Sequence, residues 1–351
     1  MKEIKSKNYS IYFDKNRYNK LFDFIKSRNY SKIFIHLDTN TENLCLNVFI
    51  NQINKLDYQT IISEAGEENK NIESCVFLWN KLSELKADRK SIIINLGGGV
   101  VGDMGGFVAS TFKRGVDYVN IPTTLLSMVD ASIGGKTGVD LGVLKNQIGI
   151  FYDPKMVIID PLYLETLSDS ELASGYAEIF KHSIISKTNN FNSLISKNID
   201  FKNIDLIRES IEIKNNIVLI DKKENKERKA LNYGHTLGHA IESYFLKSKK
   251  QLLHGEAISI GIILASFISL KKAGLSKNCL KNIKNHILKF YKKISFSEND
   301  IQEIIKLLIH DKKNSYGKIN FVLVKNIGTP IYDIEVNNDL IIEAFKYYSS
   351  I

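Results

Sequence analysis

The chain has 351 residues, of which 44% are hydrophobic, so it can bury a large core, and its length suggests two domains. Three scattered cysteines, Cys45, Cys75 and Cys279, favour neither a disulfide framework nor a cysteine-based zinc site, and they indicate a reducing cytoplasm. The N-terminus lacks the apolar stretch of an export signal, and no uninterrupted apolar run approaches the roughly 20 residues needed to cross a membrane. We therefore expect neither export nor membrane insertion.

Basic residues outnumber acidic ones, and the formal net charge is +9. A nucleic-acid binder would gather this charge into a stripe or an aromatic-laced block, but the lysines are spread through segments rich in Asn and Ile. We therefore expect no nucleic-acid and no membrane partner, and we interpret most of the charge as solvated surface. Some basic residues lie in Gly-rich or polar turns, where they would suit an anionic small molecule.

Before residue 160 the chain alternates short β-rich runs with helical stretches. Three of these runs, at 33–37, 92–94 and 118–121, end in polar or Gly-rich turns. Strands that alternate with helices are typical of a parallel sheet in an α/β protein. The pattern predicts a Rossmann-like α/β domain with a parallel sheet over residues 1–160.

After residue 160 helical periodicity dominates the sequence. The periodic segments lie at 170–187, 203–221, 233–247 and 255–273, and two short β-rich runs at 318–324 and 329–334 predict a hairpin. The second domain, over residues 161–351, is therefore predicted to be mainly α-helical.

A glycine run follows the strand predicted at 92–94. Residues 97–106 read Gly-Gly-Gly-Val-Val-Gly-Asp-Met-Gly-Gly, and such runs let backbone N–H groups approach a pyrophosphate at the start of a helix. The spacing is not the usual G-x-G-x-x-G, and glycines also serve tight turns and close helix packing, so both interpretations stay open. Asp38, at the end of an earlier strand, could hold ribose hydroxyls or cap a helix.

Two further segments combine charge with a special local setting. Residues 130–149 hold Lys136 and Lys145 among glycines, which suits phosphate or carboxylate groups, although the spacing is not that of a P-loop. Glu178 and Lys181 lie one helical turn apart, either in a site or as a surface ion pair.

Three of the seven histidines, His235, His239 and His254, fall close together in the chain. His235 and His239 are four residues apart, so on a helix they project from one face and could bind one cation, with His254 or a carboxylate as a third ligand. A pair with this spacing also occurs on ordinary solvated helices. The third histidine favours a metal and acid/base centre.

Taken in order, these motifs resemble those of the 3-dehydroquinate synthase family, NAD- and zinc-dependent sugar-phosphate cyclases of the shikimate pathway. The resemblance spans nearly the whole chain and is carried by the segments 66–70, 97–103, 114–115, 122–126, 129–130, 134–136, 145–146, 177–181, 231–242, 254–257 and 311–313. It implies a dehydroquinate synthase-like fold, in which the first domain binds NAD and the second binds metal and substrate. His182 departs from the family's usual sequence, and we expect it to have a packing role.

The resemblance also implies site residues, position by position. The implied metal ligands are Glu178, His235 and His254, and His239 becomes a catalytic, phosphate-contacting histidine instead of a ligand. The implied NAD contacts are Asp38, Glu67, Lys70, Gly99, Val100, Val101, Gly102, Asp103, Thr123, Thr124, Lys136, Lys145, Tyr163, Leu164, Glu165 and Thr166. The implied catalytic and substrate contacts are Asp130, Lys136, Asn146, Lys181, Lys214, Arg228, Asn232 and His239, with Arg114 and Lys312 at the phosphate and Lys313 as the rival to Lys312.

The same resemblance implies the chemistry. The family converts 3-deoxy-D-arabino-heptulosonate 7-phosphate (DAHP) to 3-dehydroquinate and phosphate, through transient oxidation by NAD, phosphate elimination, re-reduction and intramolecular aldol closure. The expected cofactors are NAD and one divalent metal, zinc or cobalt, and the expected assembly is a cytoplasmic homodimer acting on a small sugar phosphate acid. The alternatives are a cyclase that makes an inosose- or valiolone-type ring and, less favoured, a metal-dependent polyol dehydrogenase.

Overall fold

The structure is a computed structural model that describes residues 3–53, 56–142, 144–188, 190–246, 251–309 and 319–350. The chain divides into two compact units, Met1–Ser168 and Asp169–Ile351. Lys312 and its rival Lys313, both predicted at the substrate phosphate, lie outside the described residues. The remaining predicted site residues fall within them.

The first unit alternates strands and helices. Its strands are β1 (Ile4–Lys5), β2 (Ser10–Tyr12), β3 (Lys32–Asp38), β4 (Gln59–Ser63), β5 (Ser91–Gly97), β6 (Asp117–Pro122), β7 (Lys136–Leu141), β8 (Leu144–Phe151) and β9 (Met156–Ile158). Its helices are α1 (Arg17–Arg28), α2 (Thr39–Leu44), α3 (Leu46–Gln52), α4 (Ile72–Glu84) and α5 (Gly99–Thr111). The predicted strands at 33–37, 92–94 and 118–121 correspond to β3, β5 and β6.

Seven of the described strands form one sheet in the order β1-β2-β9-β6-β5-β3-β4. β1 pairs with β2 in an antiparallel manner, and the other neighbours in this sheet are parallel, which confirms the predicted parallel α/β fold. β5 is buried along its whole length, as expected for a central parallel strand covered on both faces. β7 and β8 form a separate antiparallel hairpin.

The strand order reverses around β3, because β4 lies on one side of it and β5 on the other. In open α/β sheets the crevice for a ligand forms at the carboxyl ends of the strands at such a reversal. The turn after β3 and the glycine run after β5 therefore lie at the edge of the sheet where a nucleotide would bind.

Four buried polar side chains form a row across neighbouring strands of this sheet: Ser63 on β4, His36 on β3, Asn95 on β5 and Asn120 on β6. His36 Nε2 lies 3.2 Å from Ser63 Oγ, and His36 Nδ1 lies 3.2 Å from Asn95 Oδ1. Asn95 Nδ2 donates to Asn120 Oδ1 at 3.0 Å. Burial lowers the pKa of His36 to about 4, so the imidazole is neutral near pH 7. We call these four residues the polar row.

The second unit is mainly helical, as predicted. Its helices are α6 (Asp169–Ile185), α7 (Asn190–Ser196), α8 (Ile204–Ile220), α9 (His235–Phe245), α10 (His254–Lys272), α11 (Lys277–Phe290), α12 (Glu298–Ile309) and α13 (Asn338–Ser349). β10 (Asn320–Val324) and β11 (Pro330–Glu335) form the predicted antiparallel hairpin. The four predicted helical segments correspond to α6, α8, α9 and α10, with ends that differ by one or two residues.

α10 is the core helix of this unit and packs against α6, α9, α11, α13 and β10. Among the described helices, it alone is long and apolar enough to cross a membrane, and 78% of that stretch is buried inside the protein. A Cβ on Gly255 would overlap the backbone of Ser174 in α6, and a Cβ on Gly261 would overlap the backbone of Gly234, just before α9. Glycine at these two positions therefore allows α10 to pack closely on both neighbours.

Candidate functional site

Three helices of the second unit bring one carboxylate and two imidazoles together. Glu178 lies within α6 and is fully buried, while His235 and His254 are the first residues of α9 and α10. Glu178 Oε1 lies 3.4 Å from His235 Nε2 and 3.3 Å from His254 Nε2, and the donor atoms of all three residues lie within 4.8 Å of one another. One carboxylate and two imidazoles are a common ligand set of catalytic zinc, which keeps a further position for substrate. The donor set therefore fits a divalent cation.

The close packing of α10 explains how these ligands meet. Gly255 follows His254 and packs on Ser174, which precedes Glu178 by about one helical turn. The N–H of Gly255 also donates to Ser174 Oγ at 2.9 Å. On the other side, Gly234 directly precedes His235 and contacts α10. The two glycine contacts thus fix the helix segments that carry the three ligands.

His254 lies between two carboxylates, and this arrangement sets its charge. Its Nε2 faces Glu178, and its Nδ1 lies 3.3 Å from Glu242 Oε2. Burial alone would lower the pKa of His254, but the negative charges and hydrogen bonds of Glu242 and Glu178 outweigh it and raise the pKa to about 10. A potential that favours imidazolium also favours a metal cation at the same place.

Glu178 is also paired with Lys181, which lies one turn later on α6. Both side chains are buried, so the alternative of a surface ion pair is wrong. His182, the next residue, is buried too, and its Nδ1 lies 2.7 Å from Ser210 Oγ of α8. This buried position agrees with the packing role expected for His182, which stays a prediction.

His239 lies beside the ligand set. Its ring centroid is 4.9 Å from that of His235 and 5.9 Å from that of His254. The donor atoms of His239, Glu242 and His254 form a second group within 4.8 Å, so His235 and His239 fall into different donor groups despite their helical spacing. The catalytic role that the resemblance implies for His239 stays a prediction.

The basic residues predicted to meet the substrate in this unit are deeply buried: Lys181 is 1% exposed, Lys214 5% and Arg228 2%. A buried charge is costly unless polar groups compensate it. Arg228 and Asn232 lie in the short 3₁₀ helix Glu227–Asn232, which packs against α6 and α8. This packing brings the segment that holds Arg228 and Asn232 against the two helices that hold Lys181 and Lys214.

Two acidic residues that the sequence did not single out hold this 3₁₀ helix in place. Asp221 Oδ2 accepts the backbone N–H of Lys226 at 2.7 Å and of Arg228 at 3.1 Å. Glu224 accepts a hydrogen bond from the Asn232 amide. The guanidinium of Arg228 is fixed as well, because its Nη1 donates to the Lys222 carbonyl at 2.7 Å.

In the first unit several of the predicted cofactor residues lie in the turns after β5 and β6, at the carboxyl edge of the sheet. Thr123 N–H donates to the Gly97 carbonyl at 3.0 Å and joins the turns after β6 and β5. Gly99 begins α5, so the segment from Gly99 through Val100, Val101 and Gly102 to Asp103 forms the first turn of that helix, and Thr124 follows Thr123 after β6. Free N–H groups at a helix start are suited to a phosphate group.

Asp38 lies at the same edge and caps α2. Its carboxylate accepts the Thr41 N–H at 2.7 Å, in a capping box with the Thr41 hydroxyl. The helix-cap interpretation of this residue is thus correct. The ribose contact implied by the resemblance stays a prediction.

Five predicted residues meet in one charged network. Lys70 Nζ donates to Asp103 Oδ2 at 2.6 Å and to Asn146 Oδ1 at 2.7 Å, and Lys145 pairs with Glu67. Burial would lower the pKa of Lys70, but the charges of Asp103 and Glu67 overcome this and raise it, so the ammonium stays charged. The network is a compact, largely buried cluster of charges of both signs.

Asp140, to which the sequence assigned no role, anchors this network. Its Oδ1 accepts the backbone N–H of Asn146 at 2.6 Å, and its own N–H donates to the Lys70 carbonyl at 2.9 Å. Asn146 has a positive φ of 51°, a conformation that costs a non-glycine residue energy. The Asp140 carboxylate therefore stabilises a strained residue that is predicted to contact substrate.

The remaining predicted residues of the first unit lie in separate segments. Arg114 is exposed with a φ of 69°, Asp130 is half-buried in the π-helical turn Ser127–Ala131, and Lys136 begins β7. The 3₁₀ helix Pro161–Thr166 buries its Tyr163 and Leu164 and exposes Glu165 and Thr166. A ligand at this segment would meet those two exposed residues or the backbone.

Solved structures share this fold over the whole chain. 2-Deoxy-scyllo-inosose synthase, solved with carbaglucose-6-phosphate, NAD+ and Co2+, superposes with a TM-score of 0.86 at 24% identity and covers 99% of both chains. 2-epi-5-epi-Valiolone synthase from Streptomyces hygroscopicus, solved with NAD+ and Zn2+, gives a TM-score of 0.83 at 22% identity and covers 100% of this chain and 99% of that one. At 22–24% identity these likenesses show that the chain has this two-unit fold, in which the glutamate and the two histidines fit a cation.

Sequence comparison assigns the chain to one family within this fold. Models described as the N-terminal and C-terminal parts of 3-dehydroquinate synthase match residues 60–174 and 175–314. A 3-dehydroquinate synthase from Parabacteroides distasonis is 40% identical over 334 residues, which are 94% of this chain and 95% of that protein. The chain belongs to the 3-dehydroquinate synthase family.

Proposed function

We propose that the protein converts DAHP to 3-dehydroquinate and phosphate. The observation that carries this proposal is the convergence of Glu178, His235 and His254 in a chain that belongs to the family over nearly its full length. Lys181 pairs with Glu178, and Lys214 and Arg228 are buried in segments that pack against α6. These cations support an anionic substrate, because buried lysine and arginine side chains gain most from groups of opposite charge.

We infer that the cofactors are NAD and one divalent cation, zinc or cobalt. Two solved structures with this fold carry NAD+ together with Co2+ or Zn2+. Here Glu178, His235 and His254 would hold the cation, which would polarise a substrate oxygen, while NAD would take up and return a hydride. Among the predicted NAD contacts, those in the turns after β3, β5 and β6 lie at the sheet edge where dinucleotides bind in related architectures.

The protein's own residues would mainly bind and orient the substrate. We propose that Arg228 grips an oxyanion in a planar fork and that Lys181 and Lys214 act as compact positive charges. Arg228 is already held by the Lys222 carbonyl and by the Asp221-bound turn, so little reorganisation is needed when the substrate binds. His239, which is only partly buried, could hold or pass a proton at the phosphate.

A coupled assay tests this function. Protein reconstituted with Zn2+ or Co2+ is mixed with DAHP and a catalytic amount of NAD, and phosphate release and NADH absorbance are followed together. Stoichiometric phosphate without accumulating NADH is the expected result. Accumulating NADH would indicate the polyol dehydrogenase alternative, and absence of both products would contradict the proposal.

A second candidate is a cyclase that makes an inosose- or valiolone-type ring, because the two superposed structures have those activities in their names. Such an enzyme would act on a sugar phosphate without a carboxylate. The same assay with glucose 6-phosphate and other sugar phosphates that lack a carboxylate distinguishes the two candidate functions. Turnover of these substrates but not of DAHP would favour the second candidate.

We further infer a homodimer in the cytoplasm. Leu144, Ile150 and Phe151 are exposed on β8, and an exposed apolar strand of a two-stranded hairpin is typical of a surface that meets another chain. Cys45 and Cys75 are free thiols, which suits a reducing compartment. Light scattering of the purified protein and fractionation of cells test these inferences, and a monomer or an exported protein would contradict them.

A further inference from the structure

We propose that Glu242 is a positioning residue that sets the tautomer and ring orientation of His254 for metal binding. The inference rests on the proposed function, because it requires a divalent cation at Glu178, His235 and His254. Glu242 lies in α9, three residues after His239 and seven after His235, so these three side chains share one face of the helix. Its side chain is buried.

The two ring nitrogens of His254 face different carboxylates. Nε2 lies 3.3 Å from Glu178 Oε1, on the side where Nε2 of His235 also points, whereas Nδ1 lies 3.3 Å from Glu242 Oε2. A neutral imidazole binds a metal through its unprotonated nitrogen and donates a hydrogen bond through the other. Metal binding at Nε2 therefore places the proton on Nδ1, where Glu242 accepts it.

The other histidine ligand is oriented by different means. His235 Nδ1 lies 3.3 Å from the backbone carbonyl of Tyr233, two residues earlier in the chain. The acceptor for His235 is a backbone carbonyl close in the chain, whose position is fixed by the local backbone. The acceptor for His254 is a side chain on another helix. Glu242 therefore ties a ligand at the start of α10 to α9, and its loss should free the ring of His254 to rotate.

Metal affinity of the metal-free protein measures this role directly. Zn2+ or Co2+ is added in competition with a chromophoric chelator, to the wild type, Glu242→Gln and Glu242→Ala. We expect affinity to fall by about 10-fold to 100-fold, the range seen when a carboxylate behind a histidine ligand is removed. Glu242→Gln should lose less than Glu242→Ala, because glutamine keeps an oxygen acceptor in place. The visible spectrum of bound Co2+ should also change.

Two controls separate positioning from general damage. NAD binding should be unchanged in both variants, because the predicted NAD contacts lie in the first unit. Glu212→Gln makes the same chemical change at a half-exposed residue of α8, where Glu212 pairs with Arg208 at 3.0 Å, and it should leave metal affinity unchanged. If Glu242→Ala does not fold, Glu242→Gln still decides the matter.

Three results would overturn the inference. Wild-type metal affinity in both Glu242 variants would show that the carboxylate does not orient His254. A wild type that binds two cations, with Glu242→Gln losing one and holding the other normally, would make Glu242 a ligand in the second donor group, with His239 and His254. A wild type that binds no divalent cation would overturn the proposed function as well.

Discussion

Replacing Gly255 with alanine should weaken metal binding, although Gly255 is not a ligand. A Cβ at this position would lie 2.1 Å from the carbonyl oxygen of Ser174, whereas ordinary van der Waals contact begins at 3.4 Å. The backbones of α10 and α6 would therefore have to separate by about 1.3 Å, the difference of these two distances. The adjacent ligands Glu178 and His254 move with these backbones.

The size of this displacement decides the expected effect. Ligand distances in a metal site hold to within about 0.2 Å, so a shift of about 1.3 Å is several times that tolerance. Overpacking costs about 1–3 kcal/mol, and the better helix propensity of alanine returns up to about 1 kcal/mol. If about 1.4 kcal/mol of the remaining strain falls on the metal complex, affinity falls tenfold. We expect a loss of about tenfold or more.

Chelator competition with Zn2+ measures this loss, and Gly274→Ala is the matched control. Gly274 lies just after α10 with a φ of 89°, and a Cβ added there would meet no atom of the described residues within 4 Å. Alanine there strains the backbone by about 1 kcal/mol but displaces no ligand. Both variants should unfold at lower urea concentrations, and only Gly255→Ala should bind metal more weakly. Wild-type metal affinity in Gly255→Ala would refute the reasoning.

The other predictions concern a metal ligand, a predicted substrate residue, the charged network and the polar row. His235→Ala should abolish metal binding and turnover together, measured as metal content after dialysis and as phosphate release. Arg228→Ala should impair turnover and leave metal and NAD binding largely intact. Full metal content in the first variant or full activity in the second would contradict the assigned roles. Lys70→Met leaves the carboxylate of a buried ion pair without its partner and should lower the free energy of unfolding in urea by about 3 kcal/mol. Lys271→Met, at a half-exposed ion pair, should lower it by less than about 1 kcal/mol. Equal losses in the two variants would contradict the argument. Lowering the pH from about 7 to about 5 should destabilise the wild type by about 2 kcal/mol more than it destabilises His36→Gln. The reason is that His36 is protonated below about pH 6.5 in the unfolded chain but only below about pH 4 in the folded protein. Parallel pH profiles of the free energy of unfolding would contradict this prediction.

The secondary structure could be predicted from the sequence because its signals are local. The apolar run 92–94 lies within the fully buried strand β5, and helical periodicity at 255–273 corresponds to α10 within one residue at each end. These signals come from which side chains must avoid water, and they need no knowledge of the partner that covers them. Such local signals do not fix where a strand ends, since β5 extends over Ser91–Gly97, beyond the predicted run.

The metal cluster could not be worked out from spacing alone. Helical spacing relates residues within one helix, so it favoured His235 with His239, whereas Glu178 and His254 are 76 residues apart and meet only when three helices pack. The resemblance to a family supplied Glu178. Glu242 lies within one of the motifs of the family, and its spacing of three residues from His239 indicates that both side chains lie on the same face of α9.

Residues that support the site were missed for a related reason. Asp140 holds Asn146, and Asp221 holds the turn of Arg228, through hydrogen bonds to backbone N–H groups. An aspartate that binds a backbone amide has no sequence pattern of its own, because the same residue type serves turns and caps throughout a protein. Such roles become visible only when the fold brings the two segments together.

The polar row also limits how the sheet can change over evolutionary time. Each of its side chains satisfies a neighbour on the adjacent strand, so an apolar substitution of Asn95 alone would leave His36 and Asn120 buried with fewer partners. Replacing several members together by apolar residues of similar shape would remove that penalty. Related proteins should therefore keep the row whole or lose it whole, and substitutions at positions 36, 63, 95 and 120 should be found in correlated sets.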